Sequence, residues 1–158
     1  MKILVVSDTH GNFSKLQSVI EKNNNYVDII LHLGDGASEY LKLKSIYKNL
    51  NMFMVKGNCD FIDLPDHKVF NFDGVTMFAC HGDAFNVKNG LEEYIRFGEN
   101  LNYDIIAYGH THKRFIQHKE KLCILNPGSL TLPRESCPGY AIISIENKAV
   151  EAEFIDMP

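Results

Sequence analysis

Two histidines separated by one threonine, His110 and His112, follow an apolar run in the segment DIIAYGHTH at residues 104–112. A strand is expected to end just before them, and imidazoles at such a place are suited to binding a metal ion. Four other apolar runs end in a similar way, each followed by side chains that can bind a metal. These side chains are Asp8 and His10 after KILVV, Asp35 after DIILHL, Asn58 after MFMV, and His81 after VTMFAC.

If the five strand ends meet, the seven side chains predict a site for two divalent metal ions. Asp8 and Asp35 would repel each other when partly desolvated, and a cation removes that repulsion. One ion bound by imidazoles and carboxylates takes about four to six ligands, water included, so seven side chains exceed the need of one ion. Two ions about 3.5 to 4 Å apart would share one carboxylate, and Asp35 is the natural bridge because it arrives alone. His110 and His112, expected on one side of an extended segment, would each bind a different ion.

The donor atoms of this set are nitrogen and oxygen. They favour Mn, Fe, Co, Ni or Zn over calcium, and Mn is the first expectation. The four cysteines, Cys59, Cys80, Cys123 and Cys137, are scattered without a CxxC pair, so a disulfide framework or a Cys-rich zinc site is not expected. Cys59 and Cys80 are expected to be small core residues.

The strand ends can meet only if the apolar runs are neighbouring strands, and the rest of the pattern predicts that arrangement. Two amphipathic segments alternate with the first three runs, the first of them behind Asn12 as a helix N-cap, so the chain opens as β-α-β-α-β with parallel strands. Asp73-Gly74 predicts a hairpin, and a second hairpin is expected across residues 119–121. A third helix at about 90–101 would begin with Asn89 and Glu92 as a capping box, and two strands would end the chain. About nine strands and three helices predict two mixed sheets packed face to face, with helices outside.

Length and composition bound the other possibilities. With 158 residues, 45% hydrophobic side chains and no linker or repeat, residues 1–158 are expected to form a single domain. The net charge of −4 has no basic stripe, so long nucleic acid is not an expected partner. No signal segment or membrane span is expected, and a cytoplasmic protein is the default prediction. Homo-oligomer formation stays open.

The sequence resembles the calcineurin-like metallophosphoesterase superfamily, and within it the small bacterial and archaeal phosphodiesterases of the YfcE type. The resemblance lies in ordered blocks that span about 120 residues. These blocks are Asp8-Thr9-His10-Gly11-Asn12, Gly34-Asp35, Gly57-Asn58-Cys59-Asp60, His81-Gly82, Gly109-His110-Thr111-His112 and Asn126-Pro127-Gly128-Ser129.

The resemblance implies a four-layer α/β/β/α sandwich. It also implies one metal held by Asp8, His10, Asp35 and His112, and a second held by Asp35, Asn58, His81 and His110. A water shared by the two metals would attack phosphorus in line, with Asp35, Asn58 and His81 as the catalytic residues.

Two departures concern the substrate. Phosphatase branches often carry histidine as a proton donor where this chain has Cys59, and thiols are poor acids at neutral pH. The smaller phosphodiesterases share the Gly-Asn-Cys-Asp form, so the resemblance implies their kind of substrate. Asp83 stands where relatives often have a second histidine after His81-Gly82, and its carboxylate could repel a substrate phosphate or tune a metal. The expected activity is hydrolysis of small phosphodiesters. There are two alternatives: a phosphomonoesterase, and a protein-interaction scaffold like the retromer subunit that shares this fold.

The other histidines are expected to lie outside the ligand set. His32 is expected to support the ligands, and His67 and His118 are expected to lie on the surface.

Overall fold

A computed structural model describes residues 1–157, and this part of the chain contains ten strands and three α-helices. The strands are β1 (Lys2–Val6), β2 (Ile29–His32), β3 (Met52–Met54), β4 (His67–Phe72), β5 (Val75–Cys80), β6 (Ile105–Ala107), β7 (Arg114–Lys119), β8 (Leu122–Pro127), β9 (Gly139–Glu146) and β10 (Ala149–Asp156). The helices are α1 (Phe13–Asn23), α2 (Ala37–Ile46) and α3 (Glu92–Asn100), and a 3-10 turn covers Asp83–Phe85.

The strands form two mixed sheets of five strands each. The first has the order β10-β9-β1-β2-β3, in which β1, β2 and β3 are parallel, as the β-α-β-α-β opening predicts. The second has the order β4-β5-β6-β8-β7, in which β5, β6 and β8 are parallel. In each sheet the carboxyl ends of the parallel strands therefore lie on the same side, and the loops that follow them lie together there.

Three apolar clusters separate the chain into four layers. In β1, Ile3 and Val5 face the second sheet and contribute to the cluster between the sheets, which includes Met77 of β5. Leu4 and Val6 face the opposite way and pack with α1 and α2. A third cluster lies between the second sheet and α3. Because the central strands are covered on both faces, they are apolar at nearly every position. The predicted α/β/β/α sandwich is confirmed.

The predicted turns and the first helix cap are also present. Asp73 (φ +52°) and Gly74 (φ +92°) join β4 to β5 with left-handed backbone at both central positions, which is the requirement of a tight two-residue hairpin. The hairpin of β7 and β8 turns across residues 119–121, as expected. Asn12 caps α1, because its side-chain Oδ1 accepts the Lys15 N–H at 3.1 Å.

The predicted capping box at the third helix is wrong. The N-cap of α3 is Leu91, which makes no side-chain cap hydrogen bond. Asn89 lies two residues too early, because the chain turns at Gly90 (φ +152°) before the helix begins, and its amide donates to Asn86 Oδ1 instead. Within residues 1–157 no helix has both the length and the apolar character needed to cross a bilayer.

Candidate metal centre

The structure brings all seven predicted ligands into one cluster, at the edge where β1, β2, β3, β5 and β6 end. Asp8, Asp35 and His81 are buried, whereas His10 and Asn58 are at the surface and His110 and His112 are half-buried. The contacts divide the cluster into two groups, with Asp35 between them.

The first group contains Asp8, His10 and His112. The Nε2 atom of His112 lies 3.2 Å from Oδ1 of Asp8 and 3.2 Å from Nε2 of His10. His10 Nε2 is 3.9 Å from the same Asp8 oxygen. Ligand atoms about 2.1 Å from one ion, and about 90 to 110° apart, lie roughly 3 to 3.5 Å from each other. Two of the three spacings in this group therefore fit ligands that share an ion, and the third, between His10 and Asp8, is wider.

The second group contains Asn58, His81 and His110. The Nε2 atom of His81 is 3.1 Å from Oδ1 of Asn58 and 3.1 Å from Nδ1 of His110. His110 and His112 thus face different groups, although only one residue separates them in the chain.

Asp35 lies between the two groups. Its Oδ2 is 3.5 Å from His81 Nε2 and 3.9 Å from His10 Nε2, and its Oδ1 accepts the Cys59 N–H at 2.8 Å. Asp35 is therefore placed so that one carboxylate could serve both groups.

The protonation pattern of the histidines fits divalent cations. Nδ1 of His81 is 2.7 Å from the Leu33 carbonyl, and Nδ1 of His112 is 2.7 Å from the Leu132 carbonyl. A carbonyl only accepts, so each Nδ1 carries the hydrogen, and in the neutral ring Nε2 presents a lone pair to the cluster. Oδ1 of Asp8, whose side chain has 0% exposure, has no hydrogen-bond partner within residues 1–157. The two lone pairs of His81 and His112, directed into the cluster, and a buried carboxylate oxygen without a donor suit bound cations.

The pKa values reflect this crowding of opposite charges. Burial opposes ionisation of Asp8, but the neighbouring imidazoles of His112 and His81 outweigh it, so the pKa of Asp8 is lowered. Burial also opposes ionisation of Asp35, and contact with His81 overcomes it, so the pKa of Asp35 is lowered as well. Burial and the charge of His81 lower the pKa of His110. The carboxylates are thus ionised at neutral pH and available as ligands.

Five of the seven residues have left-handed backbone, which is unfavourable for residues other than glycine. The φ angles are +54° at Asp8, +44° at His10, +59° at Asp35, +65° at His110 and +59° at His112. Each such residue costs roughly 1 to 2 kcal/mol, and strain of this kind concentrates at functional sites. The expectation that His110 and His112 share an extended segment is wrong, because β6 ends at Ala107 and the chain coils at both histidines.

Buried polar residues outside the ligand set hold these loops, and the sequence did not reveal their roles. Asp60 accepts four backbone N–H groups: Oδ2 binds those of Asp35 (2.8 Å) and Gly57 (2.9 Å), and Oδ1 binds those of Gly36 (3.0 Å) and Ala37 (2.9 Å). Its position at the end of the Gly-Asn-Cys-Asp block was the only signal. Ser7 donates to Asp8 Oδ2 at 2.6 Å.

His32 has the supporting place expected of it. The ring is fully buried, its Nδ1 accepts the Gly34 N–H at 3.2 Å, and its Nε2 donates to Thr9 Oγ1 at 2.9 Å. Thr9 donates in turn to Glu39, which also accepts the Gly11 N–H at 2.8 Å. This chain of hydrogen bonds fixes the loop that carries His10, and a buried glutamate in the first turn of α2 was not anticipated.

Of the remaining predictions from the sequence, some are confirmed and one is wrong. His67 and His118 are exposed and Cys80 is buried, as predicted. Cys59 is not a core residue: it is exposed, because it belongs to the loop that follows β3 rather than to a strand. Asp83 is exposed in the 3-10 turn after His81.

The chain matches the calcineurin-like phosphoesterase superfamily domain over residues 1–148. It is 31% identical to the probable metallophosphoesterase YsnB of Bacillus subtilis, over 99% of this chain and 91% of that protein. It is 27% identical to the phosphodiesterase MJ0936 of Methanocaldococcus jannaschii, over 94% of this chain and 95% of that protein.

Among solved structures, a protein of Streptococcus pneumoniae described as a predicted phosphoesterase has a TM-score of 0.84 and 26% identity, with 98% of this chain and 88% of that chain covered. Vps29 of Entamoeba histolytica in complex with zinc has a TM-score of 0.77, with 99% of each chain covered, and at 22% identity that likeness shows the fold alone. The fold, the family match and these relatives agree: the chain belongs to the calcineurin-like phosphoesterase superfamily, a family of metal-dependent phosphoric ester hydrolases.

Proposed function

We propose that the protein is a phosphodiesterase that hydrolyses small phosphodiesters at a centre of two divalent metal ions. The observation that supports this proposal best is the division of the cluster into two ligand groups with Asp35 between them. Asp8, His10, Asp35 and His112 would hold one ion, and Asp35, Asn58, His81 and His110 the other. Mn is the expected metal, and Fe, Zn, Ni or Co suit the same donors.

When bound, the two ions would supply water activation and charge neutralisation for in-line attack at phosphorus. The residues of this chain orient that chemistry. His81 and His112 are held through Nδ1 by backbone carbonyls, so their Nε2 atoms cannot turn away from the centre. His81 of the second group adjoins both Asp35 and Asn58, and we place the reacting phosphate beside these three residues.

The surroundings of Cys59 favour esters with good leaving groups. Partial burial and the neighbouring Asp35 carboxylate raise the pKa of the Cys59 thiol. The thiol therefore stays protonated at neutral pH and is a weak proton donor to a leaving alkoxide. An ester whose leaving oxygen needs no proton, such as an aryl phosphodiester, is the best match to this side chain.

The test combines metal analysis with a panel of phosphoesters. Protein stripped by a chelator and reloaded with Mn should hydrolyse bis(p-nitrophenyl) phosphate faster than p-nitrophenyl phosphate. Asp35→Ala and His81→Ala should lose both bound metal and turnover, whereas His118→Ala, an exposed histidine of β7, should keep both.

Two results would overturn the proposal. A strong preference for the monoester would make the protein a phosphomonoesterase. The second result is that no metal among Mn, Fe, Co, Ni and Zn supports turnover and that Asp35→Ala and His81→Ala keep their metal content. The protein would then be assigned the alternative role of a protein-interaction scaffold.

A further inference from the structure

A cavity of about 470 Å³ lies beside the metal centre, on the side of Thr111, and its lining is strongly basic. Four cationic side chains and one carboxylate line it, although the whole chain has a net charge of −4. We call it the basic cavity, and its charged residues are Lys88, Lys113, Arg114, Arg134 and Glu135.

Two of these cations are free of carboxylate partners. Lys113 pairs with Glu135, and the Arg114 guanidinium binds Asp156 and the Ile155 carbonyl. Lys88 and Arg134 form no ion pair with any of residues 1–157, and both are exposed. The cavity therefore presents uncompensated positive charge to a ligand.

The basic cavity adjoins the metal centre. The Arg134 N–H donates to the His112 carbonyl at 2.9 Å, and Thr111, between the two cluster histidines, lines the cavity wall. A molecule with one group at the centre could therefore place a second group in this cavity.

A second cavity beside the centre has the reverse charge. A cavity of about 410 Å³ borders Asn58 and His81, and Asp66 and Asp83 line it together with a single cation, Lys56. An anionic group would be repelled by this second cavity and attracted by the basic cavity. The two cavities beside the centre therefore differ in the sign of their charge.

We infer that the basic cavity is a subsite for a second phosphate, so that the substrate is a phosphodiester that carries a further phosphate beyond the scissile one. This inference rests on the proposed phosphodiesterase function and specifies its substrate class. Lys88 and Arg134 bind the second phosphate, and Asp66 and Asp83 disfavour the reversed orientation. Charge-assisted hydrogen bonds to a phosphate are the strongest contacts these side chains can make.

Two nearly identical substrates test the inference: the p-nitrophenyl ester of thymidine 5′-phosphate with a free 3′-hydroxyl, and the same ester with a 3′-phosphate. At fixed ionic strength, the Mn-loaded protein should show kcat/KM about tenfold higher for the second. Lys88→Ala and Arg134→Ala should each lower that ratio by about threefold or more, and the double variant should bring it near one. Lys148→Ala, in the turn before β10 at the far end of the sheets, removes one positive charge as a control and should leave the ratio unchanged.

A wild-type ratio at or below one, or a ratio retained by the double variant, would overturn the subsite. If neither ester is hydrolysed with any metal, the proposed function fails, and the subsite is then judged by binding alone. Calorimetry with pyrophosphate and chelator-treated protein should show binding that the double variant loses and Lys148→Ala keeps. Equal pyrophosphate binding by all three proteins, or none by the wild type, would overturn the subsite independently.

Discussion

The carboxylate of Asp60 accepts the backbone N–H of Asp35 at 2.8 Å, so a buried acid 25 residues away holds the residue placed between the two ligand groups. The same carboxylate also accepts the backbone N–H groups of Gly57, Gly36 and Ala37, and the last two lie at the start of α2. It therefore ties the loop after β2, the N-terminus of α2 and the loop after β3 into one unit. The position of Asp35 depends on that unit rather than on its own strand.

Asp60→Ala should lower the free energy of unfolding by about 3 to 5 kcal/mol, because it leaves four buried N–H groups without their acceptor. It should also weaken metal retention, since Asp35 and Asn58 are no longer held together. Urea unfolding and metal content after dialysis measure the two effects. Asp60→Asn keeps one acceptor oxygen and should give intermediate values if the alanine variant does not fold. Asp63→Ala, at an exposed position in the same loop, is the control, and an equal loss in that variant would contradict the argument.

The buried ring of His32 should make the protein sensitive to acid. Burial, opposed only in part by the charges of Glu39, Asp60 and Asp8 and reinforced by that of His81, lowers the pKa of His32 to about 4 from an ordinary value of 6.5. Between these pH values the unfolded chain binds a proton at His32 and the folded chain does not. Stability contributed by the neutral ring is therefore complete above pH 6.5 and is lost as the pH falls.

His32→Gln should remove that dependence. Below pH 6.5 the neutral ring of His32 should cost the folded protein about 1.36 kcal/mol of unfolding free energy per pH unit. From pH 7.5 to pH 5 the wild type should therefore lose about 2 kcal/mol more unfolding free energy than the variant. Urea unfolding of both proteins in chelator, so that metal release plays no part, measures the difference. His118→Gln should follow the wild type. Parallel pH profiles for wild type and His32→Gln would show that His32 is not the cause.

Much of this architecture follows from local sequence pattern. Lys2–Val6 and Val75–Cys80 are strands with the predicted bounds, because strands covered on both faces are apolar along their whole length. The Asp73-Gly74 turn was equally clear, since few residue pairs adopt left-handed backbone at two successive positions. Metal-capable residues at five strand ends predicted the cluster, because parallel strands end at a common edge.

What the pattern could not predict depends on contacts between distant loops. The left-handed conformation of His110 and His112 is imposed by partners in other loops, such as Asp8 Oδ2, which accepts the His110 N–H at 3.1 Å. The exposure of Cys59 and the four bonds of Asp60 likewise depend on how the loop after β3 lies against α2. The Asn89 capping box has the right spacing in sequence, but the turn at Gly90 delays the helix.

The loop of His110 approaches β1 so closely that only glycine fits at position 109. A Cβ atom there would lie 3.1 Å from Ser7 Cβ and 2.9 Å from Asp8 Oδ2, and would overlap Ser7 Oγ. Gly109→Ala should therefore displace the loop, lower the unfolding free energy by about 1 to 3 kcal/mol and weaken metal retention. Gly74→Ala, at the far hairpin, should cost about 1 kcal/mol through its left-handed backbone without changing metal content. Similar metal content in both variants would argue against a role for this close approach.

Phe61 is an aromatic side chain at the rim of the metal centre with nothing to cover it. It is 95% exposed and lines two cavities, one beside His10 and Asp35 and the other beside Asn58 and His81. An aryl group of a diester bound at the centre could pack on this ring, and such contacts contribute about 0.5 to 1.5 kcal/mol.

Phe61→Ala should raise KM for bis(p-nitrophenyl) phosphate by about three- to tenfold with kcat nearly unchanged, because the contact is the same in the ground state and the transition state. Folding stability should change by less than about 0.5 kcal/mol, since the ring packs against nothing. Phe61→Tyr should retain the wild-type KM. Tyr26→Ala, an aromatic residue 74% exposed in the loop before β2 at the opposite end of that strand, is the matched control. An unchanged KM in Phe61→Ala, or an equal rise in Tyr26→Ala, would show that the substrate does not pack on Phe61.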